Sequence, residues 1–137
     1  MRIREANIED INDIKKLYWE LDTDAVFYQP SLFVRAERPD DFLIDIITGE
    51  KSDILLIEID NNIIGFSLLQ EKETPDISCL QKKKFVYILD FVISEAYRSS
   101  GYGSLLMESS KDWGKKRGLD FLRLSVFEEN LKRDRVL

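Results

Sequence analysis

Residues 93–103 read Ile-Ser-Glu-Ala-Tyr-Arg-Ser-Ser-Gly-Tyr-Gly, and they join an apolar strand pattern to a long amphipathic helix pattern. The first backbone N–H groups of a helix lack acceptors within the helix, and the helix dipole favours an anion there. Gly101 and Gly103 have no side chains, so a phosphate could approach the backbone closely. Arg98 adds a positive charge and a forked donor. The segment therefore has the chemistry of a pyrophosphate cradle.

Two other interpretations of this segment stay open on the residues alone. The glycines could simply relieve packing in an ordinary strand–turn–helix connection. A dinucleotide-binding fingerprint would need Gly-x-Gly-x-x-Gly after the first strand. Here the order is Arg-x-x-Gly-x-Gly at 98–103, after the fourth predicted strand. The strands and helices on either side of the loop are therefore needed to decide between these interpretations.

Apolar periodicity predicts a single α/β domain over residues 1–137, a length that suits one domain. Asn7 is expected to cap the first helix and Gly49 to end the second. The predicted order β-α-α-β-β-β-α-β indicates a mixed sheet with a right-handed crossover around the last helix. The predicted elements are a strand at 3–6, helices at 8–21 and 40–48, strands at 54–59, 63–69 and 85–93, a helix at 102–117 and a strand at 121–127. Residues 130–137 could begin a further helix.

Composition excludes several kinds of site. The chain has no histidine, which rules out a Ser-His-Asp triad, a Cys-His pair and histidine-ligated zinc within it. Cys79 is the only cysteine, so no intrachain disulfide or cysteine metal cluster can form. A net charge of −6 disfavours generic nucleic-acid binding. The chain also shows no signal-peptide pattern and no run of membrane-spanning length, so we expect a cytoplasmic protein with no membrane partner.

The segment around the loop resembles the coenzyme A site of the GNAT N-acetyltransferase superfamily. The motif Arg-x-x-Gly-x-Gly at 98–103 is similar to that of its pyrophosphate loop. The run Asp90-Phe91-Val92-Ile93 looks like the fourth strand that leads into this loop. Val126-x-x-x-Asn130 resembles the place of a coenzyme-contacting asparagine. The opening strand, two helices and hairpin also follow the family's order, so the resemblance covers nearly the whole chain.

This resemblance implies an acetyl-CoA-dependent N-acetyltransferase that acts on a primary amine of an unknown small molecule or peptide. It implies that the fourth and fifth strands separate and that the pantetheine arm pairs with the backbone at Phe91 and Ile93, beside Val92. It also implies direct acetyl transfer, with no covalent enzyme intermediate and no metal. The implied coenzyme contacts of the loop and beyond are Arg98, Ser99, Ser100, Gly101, Tyr102, Gly103 and Asn130.

Asp90 is the candidate general base. It is a single acid inside an otherwise apolar strand, beside the expected acetyl position, and apolar surroundings would raise the pKa of its carboxyl. The alternative is an aspartate that faces an edge or caps a helix. Glu58 and Glu71, near the ends of the predicted hairpin, are weaker candidates for the base.

The chain departs from the family pattern after the fifth strand. Many relatives carry a tyrosine seven residues after the asparagine, where this chain has Leu137. Some relatives carry a glutamate where this chain has Ser125, and the usual last two strands have no predicted counterpart. A catalytically degenerate coenzyme A-binding module, regulatory or interacting, is therefore an alternative to the enzyme, and so is a plain α/β binding domain.

A sheet that stops at its fifth strand would leave an apolar edge exposed, and such edges pair with other chains. Pairing around a two-fold axis would cover it, because the same surface complements itself. On this basis the sequence predicts a homodimer through the fifth-strand edge and residues 128–137.

Overall fold

The computed structural model describes residues 1–125 and 132–136, and these ranges contain six strands and three α-helices. The predicted order of elements is confirmed as far as the fifth strand. Single turns of 3₁₀ helix lie at Ile8–Asp10 and Glu95–Tyr97. The elements are β1 (Arg2–Glu5), α1 (Ile11–Tyr28), α2 (Asp40–Thr48), β2 (Ser52–Ile59), β3 (Asn62–Glu73), β4 (Lys84–Ile93), α3 (Tyr102–Lys116), β5 (Phe121–Ser125) and β6 (Lys132–Val136).

The six strands form one sheet in the order β1-β2-β3-β4-β5-β6. Neighbouring strands are antiparallel except β4 and β5, which are parallel and are connected through α3. A parallel pair needs a crossover connection, and α3 supplies it. The mixed α/β sheet predicted from the sequence is therefore confirmed.

The sheet separates two apolar cores. Helices α1 and α2 pack on one face, where Tyr18 and Leu43 meet Phe66 of β3. Helix α3 packs on the other face, where Leu106 and Trp113 contact residues of the same strands. Since successive side chains of a strand point to opposite faces, the central strands β2, β3 and β4 supply both cores, and their middle residues are mostly apolar.

The helix cap and the hairpin turn predicted from the sequence both form in the structure. The Asn7 side-chain oxygen accepts from the Glu9 N–H at 2.9 Å, and the Asp10 carboxylate accepts from the Asn7 N–H at 2.8 Å. Asp60 and Asn61 take positive φ angles of 50° and 65° in the turn between β2 and β3. Asn and Asp tolerate this backbone region better than other residues that carry a side chain. Helix α1 is longer than predicted and continues to Tyr28.

Strand β6 corrects the predictions for the end of the chain. Residues 132–136 form a strand that pairs with β5 in antiparallel register, from Ser125 opposite Lys132 to Phe121 opposite Val136. The helix predicted for this segment is therefore wrong there, and the sheet does not stop at its fifth strand. Since β6 of the same chain occupies the outer edge of β5, that edge is not free to form the predicted dimer. Residue types along β6 are mostly charged, which is common in edge strands.

Candidate functional site

The described pairing between β4 and β5 ends part-way along β4, and the unpaired place beyond it is called the gap. The two strands pair from Phe85 opposite Phe121 to Ile88 opposite Leu124, and no pair between them follows in the described residues. Strand β4 nevertheless continues to Ile93 and stays paired with β3 on its other side. The backbone of residues 89–93 therefore has one edge that no strand of the described residues covers. An extended ligand with amide groups could add to this edge as a further strand does.

A β-bulge at Leu89 decides which way Asp90 faces. Leu69 of β3 lies opposite Ile88, and Leu68 lies opposite Asp90, so Leu89 is the extra residue of β4. Simple alternation would put Asp90 on the same face as Ile88, which is the face of α3. The extra residue reverses the alternation, as bulges do. Asp90 therefore lies on the face of α1 and α2.

The Asp90 carboxylate accepts a hydrogen bond from the Tyr18 hydroxyl at 2.6 Å. Burial raises the pKa of Asp90, while the Tyr18 hydrogen bond and the positive charge of Arg38 lower it; the net direction is upward. Burial and the Asp90 charge also hold the pKa of Tyr18 well above its ordinary value, so Tyr18 is the donor in this contact. The sequence-based expectation of a carboxyl with a raised pKa in an apolar strand agrees with this direction.

An ion pair lies beside this contact. Both terminal nitrogens of Arg38 donate to the Asp22 carboxylate of α1, Nη1 to Oδ2 at 2.6 Å and Nη2 to Oδ1 at 2.9 Å. The Arg38 guanidinium lies 4.2 Å from the centre of the Tyr18 ring. The Asp22 hydrogen bonds raise the pKa of Arg38, so this side chain stays charged. The pair ties the segment before α2 to α1 and fixes the surroundings of Tyr18.

The predicted pyrophosphate loop forms a tight turn into α3. Gly101 stands just before the first residue of α3 with a φ of +87°, and Ser99 has a φ of +62°. A Cβ atom built on Gly101 would meet nothing within 4 Å, so the space outside this residue is open. The N–H groups of Tyr102, Gly103 and Ser104 precede the first intrahelical donor, which is Leu105 bonding to the Gly101 carbonyl. In the described part of the chain these three N–H groups have no acceptor, and the space beside Gly101 is open to a ligand.

Arg98 is held by two contacts. Its Nε donates to the Ile93 carbonyl at 2.7 Å, and its Nη2 donates to Asp24 of α1 at 2.9 Å. The start of the loop is tied to α1 as well, because Glu20 accepts from the Ser94 hydroxyl and the Glu95 N–H. The Arg98 charge expected to face a phosphate is paired within the protein, and its remaining terminal nitrogen has no recorded partner among the described residues.

The alternative bases lie away from the gap. Glu58 of β2 accepts from Arg4, with a nitrogen–oxygen distance of 2.8 Å. Glu71 of β3 lies opposite Val86, four residues before Asp90 along β4. Asp90 and the backbone of Phe91, Val92 and Ile93 lie along the stretch of β4 beyond its described pairing with β5. Arg98 joins the end of this stretch, at Ile93, to the loop of Arg98, Ser99, Ser100, Gly101, Tyr102 and Gly103. Asn130, Val126 and Leu137 lie outside the described residues.

Sequence reasoning missed the side chains that hold the site. The sequence analysis placed Tyr18 on the apolar face of the first helix and assigned no role to Arg38, Glu20 or Asp24. One signal was available for Tyr18, since a buried tyrosine hydroxyl usually finds a polar partner. The acids of α1 carry no signal in a single sequence, because exposed and paired carboxylates look alike there.

The described residues contain neither a candidate metal cluster nor a membrane-spanning helix. Their histidine, cysteine, aspartate and glutamate residues form no group of three or more that could hold a metal ion. None of the helices in those ranges is long and apolar enough to cross a membrane.

Known proteins share both the sequence pattern and the fold. The uncharacterized N-acetyltransferase YhdJ of Bacillus subtilis (strain 168) is 39% identical over 46 residues, which are 34% of this chain and 32% of that protein. The match thus spans about a third of the length of this curated relative. A tetramutant of the BH1408 protein from Bacillus halodurans has a TM-score of 0.88 and 27% identity, over 95% of this chain and 85% of that one.

The fold also occurs in an acetyltransferase from Vibrio fischeri, with a TM-score of 0.78 and 19% identity over 97% of this chain and all of that one. Across the sequence, the model of the Acetyltransferase (GNAT) family matches residues 11–137. This match covers most of the chain and includes the gap, Asp90 and the loop. The chain therefore belongs to the GNAT acetyltransferase family, whose members take the acetyl group from acetyl-CoA.

Proposed function

We propose that the protein transfers the acetyl group of acetyl-CoA directly to a primary amine of a small molecule or peptide. The observation that carries this proposal is the edge of β4 at residues 89–93, which no described strand covers. The 3₁₀ turn at Glu95–Tyr97 connects this edge to the loop at 98–103 before α3. An extended pantetheine arm fits such an edge, and a pyrophosphate fits the unpaired donors at its end. The site geometry thus suits both parts of coenzyme A.

Asp90 is the proposed base. In the proposed reaction the amine nitrogen attacks the acetyl carbonyl, the new C–N bond forms, and the C–S bond breaks to release coenzyme A thiolate. The amine must lose a proton, and a carboxylate with a raised pKa is suited to accept it. Support comes from the position of Asp90, which lies on the face of α1 and α2 while Phe91 and Ile93 face α3.

Ile93 adds one constraint to coenzyme binding. Its carbonyl accepts from Arg98, so a pantetheine amide that pairs there must share this acceptor or displace the Arg98 nitrogen. A carbonyl oxygen has two lone pairs, so sharing is allowed. We propose that Arg98 stays bound to Ile93 and Asp24 and positions the loop, while the loop N–H groups contact the pyrophosphate.

The test combines binding and turnover. Calorimetry with coenzyme A and acetyl-CoA should detect binding to the protein, and free thiol should appear when acetyl-CoA is mixed with the correct amine from a panel of amines, amino acids and peptides. Binding without thiol release from any amine would instead favour a coenzyme-binding module. An absence of coenzyme binding would refute the proposal. A cytoplasmic setting, where acetyl-CoA is available, is part of the same proposal.

A further inference from the structure

The hydroxyl of Tyr18 is inside the protein, yet it contacts the proposed base. Tyr18 is 1% exposed, and its ring packs on Phe66 with the ring centres 4.9 Å apart. Its hydroxyl donates to Oδ2 of Asp90 at 2.6 Å, while the structure records no partner for Oδ1 among the described residues. Because the ring is enclosed, Tyr18 cannot reach a substrate. Any effect of Tyr18 on the reaction must pass through Asp90.

We propose that Tyr18 is a positioning residue that holds the Asp90 carboxylate in one orientation and in its ionised form, leaving Oδ1 for the acceptor amine. This inference rests on the proposed role of Asp90 in acetyl transfer. The bulge at Leu89 turns Asp90 toward α1, and the fixed ring of Tyr18 provides a donor where the carboxylate arrives. A carboxylate held by one donor keeps fewer orientations than a free one, which favours a productive geometry.

Two charged groups act on the pKa of Asp90 in opposite directions. From α1 it faces Tyr18 and the negative charge of Asp22, and from the segment before α2 it faces the positive charge of Arg38. Across the sheet, its partner on β3 is the apolar Leu68. Asp22 and Arg38 form an ion pair with each other, so neither acts on Asp90 as an isolated charge. The Tyr18 hydroxyl is therefore the one described group that bonds directly to the carboxylate.

Loss of the hydroxyl has a defined consequence. Burial raises the pKa of Asp90, and the Tyr18 hydrogen bond opposes this effect because it favours the charged form. The Tyr18→Phe variant lacks this hydrogen bond, so the pKa of Asp90 should rise further. A base is active only when ionised, so the acidic limb of the rate profile should move to higher pH in the same variant.

A carboxyl ¹³C NMR titration of the protein without coenzyme tests this without any need for the acceptor. Loss of one resonance in Asp90→Asn assigns the Asp90 signal. In Tyr18→Phe the midpoint of that signal should rise by about one pH unit, the size expected from a hydrogen bond to a charged group. Phe66→Leu is the control, since it loosens the packing around the Tyr18 ring but keeps its hydroxyl. This control should lower the melting temperature and leave the midpoint in place.

The outcomes separate the inference from the proposed function. An unchanged midpoint in Tyr18→Phe, or an equal shift in Phe66→Leu, would overturn the role of the Tyr18 hydroxyl even if the enzyme is active. A raised midpoint with an unchanged acidic limb of kcat/KM would overturn its role in the reaction. Failure to acetylate any amine would count against the proposed function, and the titration would still decide whether Tyr18 controls Asp90.

Discussion

Arg98 and Asp24 join the coenzyme loop to helix α1 through an ion pair of 2.9 Å. Both side chains are about 40% exposed, so the pair itself is worth at most about 1 kcal/mol. Its importance lies in the second contact of Arg98, with the Ile93 carbonyl at the end of β4. One side chain thus connects α1, the uncovered edge of β4 and the loop, and we expect coenzyme affinity to depend on it.

The first prediction concerns Asp24→Asn. Without the ion pair, Arg98 holds the loop less firmly, and coenzyme A affinity should fall by up to about fivefold, the equivalent of 1 kcal/mol. Calorimetry with coenzyme A measures this change. Asp13→Asn is a matched control at the start of the same helix, where the contact of the carboxylate with the described residues is an exposed one with Lys16. Tighter binding in Asp24→Asn would mean that Asp24 competes with the phosphate for Arg98, which contradicts the positioning role.

The second prediction uses two glycines with similar backbones. Gly101 and Gly118 have φ angles of +87° and +70°, and a Cβ atom on either would meet nothing within 4 Å. An alanine in this region costs about 1 kcal/mol through backbone strain alone. Gly101→Ala and Gly118→Ala should therefore lower the free energy of unfolding by similar amounts in chemical denaturation. Only Gly101→Ala should also weaken coenzyme A binding. Equal coenzyme A affinities in both variants would show that the loop is not part of the binding site.

The third prediction concerns the base. Asp90→Asn should lower turnover by roughly 10²-fold, as the loss of a general base does, while coenzyme A affinity stays close to that of the unmodified protein. Steady-state kinetics with the acceptor found by the panel would measure it. Glu58→Gln and Glu71→Gln are controls of the same chemistry outside the gap. A large loss of turnover in Glu71→Gln, with little change in Asp90→Asn, would assign the base elsewhere.

The fourth prediction concerns stability and pH. Since the pKa of Asp90 is raised in the folded state, the folded protein binds this proton more tightly than the unfolded chain does. The contribution of Asp90 to stability is therefore present below its ordinary pKa of 3.8 and is lost as the pH rises through the folded value. Asp90→Asn should be more stable than the unmodified protein at pH 7, and the difference should vanish near pH 3. Denaturation at both pH values measures this, and a less stable variant at pH 7 would contradict it.

Local signals in the sequence were enough to predict much of the fold. The period of apolar residues, the Asn7 cap and the turn at Asp60 and Asn61 depend on neighbours a few residues away, so they can be read from one chain. The loop at 98–103 is equally local, because a helix start with two glycines has its donor chemistry wherever it occurs. The sequence also indicated that the loop follows an apolar strand, and this combination carried the resemblance to the GNAT family.

The orientation and partners of the catalytic candidate depend on contacts between distant parts of the chain. The sequence determined that an acid stands at position 90 in an apolar strand, but regular alternation would turn it toward α3. Only pairing with β3 across the sheet introduces the bulge at Leu89 and turns Asp90 toward Tyr18, which is 72 residues away in the sequence. Strand β6 was likewise missed, because the charged residues of an edge strand show little apolar alternation and pairing with β5 defines the strand. The sequence by itself determined the order of the elements and the chemistry of the loop, whereas the tertiary structure decided the register, because strand register depends on long-range pairing.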